Sequence, residues 1–410
     1  GSEMCIRDSS YTHEKDDVMR NNMKWRKGSN PRSGSPWCSL VTLSVALTLS
    51  LGKPSQLQAQ PLQLAEARGT DDYAEPISAS RSLIREIMEN QSVPGASVAV
   101  GIGGEIVWSE GFGWADLELG VPVTTLTKFR IGSVSKTVTA TAVGILLERD
   151  QLDLDAPIQE YVPNFPEKRW PITTRQLGGH IAGVRHYRGL EMYSDRRYPT
   201  VESGLEIFAE DTLLFEPETD YSYSSYGWNL LSAILEGASG TDFLQFMADE
   251  VFEPLGLRHT VADHTDSIVA YRTSFYESER GGGIVNAPYV DNSYKWAGGG
   301  FLSTPEDLVR FAQAHMQPGF LTAETLGILQ TPQTLRNGES TGYGIGWRTY
   351  TQEDGDLMLG HSGGSVGGTT LMVMVPEHDI VVAGVVNISG PASPIVQQVA
   401  EIFEAHLRGG

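Results

Sequence analysis

Strand-forming sequence stands at both ends of the body of this chain, and helical sequence fills the middle. At the near end, SVAVGIGGEIVWSEGFG (97–113) is two apolar runs split by Gly103-Gly104, the pattern of a hairpin. At the far end come YGIGWRTY (343–350), LMLGHSG (357–363), TTLMVMV (369–375) and DIVVAGVVNIS (379–389), with the turn PEHD joining the last two. SASRSLIREIMEN (78–90) spaces Leu83, Ile84 and Ile87 as a helix does, and PIVQQVAEIFEAHL (394–407) closes the chain as an amphipathic helix. The simplest architecture is one antiparallel sheet built from the two ends, flanked by the N- and C-terminal helices. A mainly helical domain is then inserted between its strands. The expected fold class is α/β in content and α+β in arrangement. A sheet lobe takes about 78–130 and 341–407, and a helical lobe about 131–340.

A chain of 410 residues can bury a sizeable core. Its formal net charge is −21, and the acid excess sits almost wholly after residue 60. Such a surface repels phosphate backbones and argues against a nucleic-acid partner. Cys5 and Cys38 both lie near the N-terminus, so the rest can form neither a disulfide nor a thiolate metal site. The nine histidines show no ligand spacing, and no glycine-rich phosphate loop is present, so no metal and no organic cofactor is expected.

Residues 1–60 read as addressing. MKWRK (23–27) is basic, CSLVTLSVALTLSLG (38–52) is apolar but short for a membrane span, and LQAQ (57–60) offers a cleavage point. That is the layout of a signal peptide, with an uncleaved N-terminal membrane anchor as the alternative. Either predicts export, to a periplasm or outside the cell. GSEMCIRDS (1–9) resembles translated sequencing adapter, which puts the natural start at Met19 or Met23. Residues 61–77 are polar and aperiodic, a linker, and 78–407 form the body.

Within the body, IGSVSKTVTA (131–140) sets Ser133 three positions before Lys136. A second such spacing, Ser50 to Lys53, lies inside the addressing segment and is accidental. SVSKTVTATAVGILLE reads as a helix with an apolar stripe of Val134, Val138, Ala142, Ile145 and Leu146. Ala140, Val143 and Leu147 make the other face apolar too, so the helix is expected to be buried all round. Ser133 falls at its first turn, on the same face as Lys136. There, free backbone N–H groups and the positive end of the dipole stabilise a developing oxyanion. Serine needs a base, and a lysine desolvated in a buried helix can be one. The competing reading makes Ser133 a helix cap and lets Lys136 reach water.

Two further stretches weigh against that competitor. YSYSSYGWNLLSAILEGASG (221–240) is a tyrosine-rich entry to a helix, and GHSGGSVGG (360–368) is a His-Ser-Gly lead into a glycine-rich turn. Ser-x-x-Lys, a tyrosine motif and Lys/His-Ser/Thr-Gly, in that order, form the signature of the penicillin-recognising serine enzymes. With FRIGSVSKTVTATAVGILLERDQLDLDAPIQEYVPNFPEK, GHIAGVRHY and VNAPYVDNSYKWAGGGFLSTPEDLVRFAQAHM, the chain resembles the serine β-lactamase-like protein family over about 78–407. That family, whose animal member is mitochondrial, sits within the class C β-lactamase and penicillin-binding-protein superfamily. The resemblance implies the β-lactamase/transpeptidase-like fold, with the site between two lobes.

It also implies roles. Ser133 matches the acylated nucleophile and Lys136 its base. The residues alone leave Tyr221, Tyr223 and Tyr226 open. The family's aromatic-x-Tyr-Ser-x-x-Gly register falls on Tyr223, with Gly227 as its glycine, and Tyr223 would pass protons. Ser225 stands where class C enzymes have the Asn that binds the substrate carbonyl, which argues against typical β-lactam turnover. His361 stands where they have Lys. It would bind a substrate carboxylate or feed the proton network. Ser362 and Gly363 complete that substrate strand, and the Gly364 and Ser133 amides would form the oxyanion hole. VDN (290–292) is discounted as a catalytic motif, WAGGG (296–300) reads as a tight turn, and His180 and His186 read as structural. The expected function is a serine hydrolase working through an acyl-enzyme on a small peptide-like amide or ester, peptidase-like by the Ser225 and His361 departures. An esterase and a weak β-lactamase are the enzymatic alternatives. From another class, the resemblance to an animal filament-former implies a homo-oligomer or filament with little catalysis.

Overall fold

The computed structural model describes residues 67–351, 357–390 and 393–409. The addressing segment 1–60 lies outside the described residues. The central sheet has eight strands. Seven form its path: β1 (Arg68–Gly69), β2 (Gly95–Ile102), β3 (Glu105–Asp116), β4 (Arg348–Thr351), β5 (Leu357–Ser365), β6 (Gly368–Val375) and β7 (Ile380–Val386). Their order is β1-β3-β2-β7-β6-β5-β4, and the pair Val121–Pro122 extends off β3. Every neighbouring pair is antiparallel. The two ends of the body meet at the β2–β7 seam, where Val98 opposes Gly384 and Val100 opposes Val382. The β2–β3 turn is closed by Gly103 and Gly104 at φ 59° and 79°. A two-residue hairpin turn of this hand needs two positive φ values.

Five helices position the rest: α1 (Ala74–Asn90), α2 (Val134–Glu148), α3 (Ser225–Ser239), α4 (Pro305–Gln313) and α5 (Ser393–Gly409). Alternation along each strand divides the apolar side chains between two cores. Val98, Val100, Val373 and Val382 pack with Trp108, Ile84 of α1 and Phe403 of α5. Their neighbours Ala99, Met372, Met374, Val381 and Ala383 face Val309 and Phe311 of α4 and the helical lobe. The sheet is therefore covered on both faces, which is why its strands read as near-continuous apolar runs.

The structure departs from the sequence reading in two places. Within the stretch read as a linker, Arg68 and Gly69 pair with Ser109 and Trp108, and α1 already begins at Ala74. Ile77 is the cause: it is an isolated apolar residue in polar sequence, yet it is buried against the sheet. Further on, Tyr343–Trp347 is loop and only Arg348–Thr351 is strand. Gly346 turns the chain at φ 76° so that it lies against α2, where a Cβ would come within 2.8 Å of Ala140 Cβ and 2.9 Å of Lys136 O. Its carbonyl accepts a hydrogen bond from Thr137 Oγ1 at 2.7 Å.

Candidate active site

The strand pair Phe129–Arg130 and Phe301–Ser303 delivers the chain to Ser133 at the head of α2. All of Val134–Leu146 is buried, as an apolar-all-round helix requires. Ser133 occupies the cap position with φ −65° and ψ −11°, and its side chain makes no capping bond. Its hydroxyl is thus free for other work. Lys136 does not reach water but is fully buried. Its Nζ lies 3.0 Å from Ser133 Oγ, 3.0 Å from Ser225 Oγ and 2.6 Å from Gly298 O. Both halves of the capping alternative therefore fail.

Burial and then the Lys295 charge hold the Lys136 pKa well below that of an ordinary lysine. A free amine has two N–H donors and one lone pair. Gly298 O can only accept, so it takes one N–H, Ser225 Oγ takes the other, and the lone pair remains for the Ser133 O–H. Lys295 itself is brought down to about 7 by burial and then by Arg130, against the opposing pull of Asp263.

Tyr223 is the tyrosine that reaches Ser133. Its ring lies 4.9 Å from Lys136 Nζ and its side chain hydrogen-bonds Ser133. Burial pushes its pKa above the ordinary phenol value, despite the Ser133 bond, so it is a protonated phenol near neutral pH. Tyr226 points away into the core, donating to Glu191 at 2.9 Å. Tyr221 packs edge-on against His180.

Ser225, read as a substrate contact, opens α3 as a buried residue committed to Lys136. Its hydroxyl contacts the lysine, and its burial leaves it away from solvent. His361 is also satisfied internally. Its Nδ1 donates to Ser362 O at 2.5 Å, since a carbonyl only accepts, and its Nε2 accepts from Tyr343 OH at 2.8 Å. Burial, then the Lys136 and Arg348 charges, bring it to about 3. A neutral imidazole with both nitrogens occupied offers no charge to a substrate carboxylate.

Ser362 and Gly364 alternate to the other face of β5, half-buried and exposed, and a Cβ on Gly364 would meet open space. Gly363 faces the nucleophile turn: its Cβ would fall 2.0 Å from Ile131 O and 3.1 Å from Ser133 N. Gly132, at φ 49°, answers it, because a Cβ there would come within 2.8 Å of Gly364 N. The two glycines let β5 and the head of α2 interlock backbone to backbone, and this brings the Ser133 and Gly364 segments together.

Sequence reasoning missed four contributors. The Gly298 carbonyl sits in the one-turn helix Trp296–Gly299, the motif read as a turn. Tyr343 holds His361. Arg348 lies 5.6 Å over the Tyr343 ring, and its Nε has no hydrogen-bond partner among the described residues. Lys295 places Nζ 5.7 Å and 5.4 Å from the rings of Tyr187 and Tyr294. Among these, only the WAGGG run carried a local signal. In VDN, Asn292 donates to Asp263 at 2.9 Å in a separate ion-pair cluster.

Residues 81–406 match the beta-lactamase family. The human serine beta-lactamase-like protein LACTB, mitochondrial, is 31% identical over 74% of this chain and 73% of its own length. A D-aminopeptidase of Brucella anthropi is 25% identical over 79% of this chain and 62% of its own. Among solved structures, the octameric penicillin-binding protein homologue from Pyrococcus abyssi superposes with a TM-score of 0.70 at 26% identity, covering 80% of this chain and 77% of that one. These relatives bear out the resemblance and the fold. They overturn the expected export to a periplasm or the cell exterior. The LACTB relatives from human, cow and mouse are named as mitochondrial, and no described helix is long and apolar enough to cross a membrane.

Proposed function

Because the chain belongs to the beta-lactamase family, we propose that it is a serine hydrolase that forms an acyl-enzyme on Ser133 and acts as a peptidase on a small peptide-like amide. The observation that carries this reading is the fully buried Lys136 amine 3.0 Å from Ser133 Oγ, with its other contacts on Ser225 and Gly298. In the proposed cycle Lys136 takes the hydroxyl proton as Oγ attacks the amide carbon. The carbonyl oxygen becomes an oxyanion facing the Ser133 and Gly364 amides. The C–N bond then breaks, and the proton returns to the leaving nitrogen through Lys136 and the neighbouring phenol of Tyr223. Water attacks the ester in the second half, with Lys136 again the base.

Two observations favour a peptide-like amide over a β-lactam, while Arg348, the charge-bearing group beside the tyrosines, suits a carboxylate in either. Ser225 is withdrawn from the cleft. A D-aminopeptidase is among the relatives. The test is intact-mass spectrometry with a penicillin, on wild type and Ser133→Ala. A persistent adduct on wild type alone is expected, because a poor β-lactam hydrolase traps its acyl-enzyme. Rapid hydrolysis of the drug would overturn the peptidase assignment. Intact drug, with no labelling of Ser133 by a fluorophosphonate, would overturn the nucleophile itself.

A further inference from the structure

Two imidazoles accept hydrogen bonds from consecutive backbone amides. His180 Nδ1 accepts from Ser224 N–H at 3.1 Å, and His186 Nδ1 accepts from Ser225 N–H at 3.0 Å. Those amides directly follow Tyr223, and the same two rings flank its phenol. The His180 ring lies 4.2 Å away, tilted by 43°, and the His186 ring 5.6 Å away, edge-on at 80°.

The rest of the 180–186 segment is templated on the same stretch. Ser222 N–H donates to His180 O at 3.0 Å. Ser224 Oγ donates to Arg185 O at 2.7 Å while accepting from Gly227 N–H at 3.0 Å. The segment is fixed from behind. Arg185 is buried and donates to both Glu191 oxygens at 2.7 Å and 3.0 Å and to Asp211 at 2.5 Å. His180 holds φ at 64°, and a non-glycine residue persists there only when its surroundings over-determine it.

We propose that His180 and His186 are positioning residues for Tyr223, acting through the Ser224 and Ser225 amides without touching substrate. The proposal rests on the reading of Ser133 as nucleophile and Tyr223 as its proton-handling neighbour. A ring nitrogen accepts only when it carries no proton, so both imidazoles must be neutral, with the hydrogen on Nε2. Their surroundings favour the neutral form. Burial, then Lys136, His361, Arg348 and His186, hold the His180 pKa well down. Burial, then Lys136, Lys295 and Arg185, bring His186 to about 3. The clamp is therefore intact throughout the neutral range.

The experiment follows acylation of Ser133 by a fluorophosphonate, by time-resolved intact mass on the full chain, beside thermal unfolding. Wild type and Ser133→Ala are compared with His180→Leu, His186→Leu, His180→Asn and His186→Asn. The Asn amide oxygen takes about the place of Nδ1 and keeps an acceptor, whereas Leu has none. The expected result is a maximal acylation rate lowered about a hundredfold in the folded Leu variants, the scale of a misplaced reacting group. The half-saturating probe concentration should change little, and the Asn variants should recover most of the rate. Leu variants that melt earlier but acylate at the wild-type rate would overturn the proposal, since that is what a purely structural role does. If a Leu variant does not fold, Gln at the same position, His180→Gln or His186→Gln, replaces it. Its acceptor reaches the place of Nε2, so Gln slow and Asn fast supports the clamp, and equal rates overturn it. Absence of label on wild-type Ser133 would instead overturn the nucleophile reading, and the clamp with it.

Discussion

Lys136 can act as a base only while its lone pair carries no proton, and one neighbouring cation bears on that condition. Lys295 is the charge that follows burial in lowering the Lys136 pKa. The sign follows directly: a positive neighbour disfavours a second positive charge, so removing it lets Lys136 hold its proton to higher pH. Lys295→Met should move the acid limb of kcat/KM upward, whereas Lys295→Arg, which keeps the charge, should not. A pH–rate profile of the three proteins reads this, and an unmoved limb in Lys295→Met would refute it. On the proposed reading, a second cation, Arg348, would face the substrate. It is always protonated, its Nε is unpartnered among the described residues, and it neighbours Tyr223, Tyr221 and Tyr343. Arg348→Gln should raise KM about tenfold for a substrate carrying a carboxylate, the scale of one hydrogen bond to a charged group. It should leave KM nearly unchanged for the neutral amide of the same substrate.

At the scale of elements, the interlock of β5 with the head of α2 sets how close the Gly364 amide lies to Ser133, and so whether the proposed oxyanion site can form. Gly363→Ala cannot be absorbed by a flexible side chain, because the Cβ would meet the Ile131 carbonyl at 2.0 Å. The strand must back away, and the Gly364 amide moves with it. Acylation of Ser133 should fall about a hundredfold while stability falls by about 1–3 kcal/mol, the range for overpacking. Urea unfolding and probe labelling together separate the two effects, and full labelling in a destabilised variant would refute the geometric argument. The same elements show what the sequence made legible. The sheet built from both ends, the buried helix at Ser133 and the strand at His361 each follow from a local period, and all three appear as expected. Ser133, Lys136 and Tyr223 come together because each opens or precedes a helix whose signal was strong. Less could be read where a role depends on a partner far along the chain. Gly298 acts through a backbone carbonyl that any residue would have, and Tyr343 through a loop whose sequence reads as strand. The side chains of Ser225 and His361 are consumed by Lys136 and Tyr343, which no spacing reveals.

Across the whole molecule, the catalytic turn is tied to the sheet lobe by a buried cluster around Asp263. Arg130 stands three residues before Ser133. It donates from Nε to Asp263 at 2.7 Å and from Nη1 to the carbonyl of Val366, in the β5–β6 turn, at 2.7 Å. Arg272 donates to the other Asp263 oxygen at 3.1 Å, and Asn292 donates at 2.9 Å. Burial raises the Asp263 pKa, but the Arg130 charge and hydrogen bond and then Arg272 outweigh it, so the net shift is downward. A carboxylate held below its unfolded value contributes stability above that value, near 4, and loses it as pH falls through the folded value. Asp263→Asn keeps the shape but leaves two arginines without a counter-charge, and Arg130 is buried with it. Breaking a buried pair from one side costs about 3–5 kcal/mol. Chemical unfolding near pH 7 should show that loss in Asp263→Asn. The gap to wild type should narrow as pH falls below about 4, because the unfolded carboxylate takes up a proton there while the native one, held lower, still resists it. A gap that stays constant down to pH 3 would assign the loss to packing and remove the electrostatic tie between the lobes. Because Arg130 also sets the path into Ser133, the same variant should acylate more slowly near pH 7 even under conditions where it is fully folded. That coupling distinguishes a cluster that aligns the site from one that only holds the molecule together.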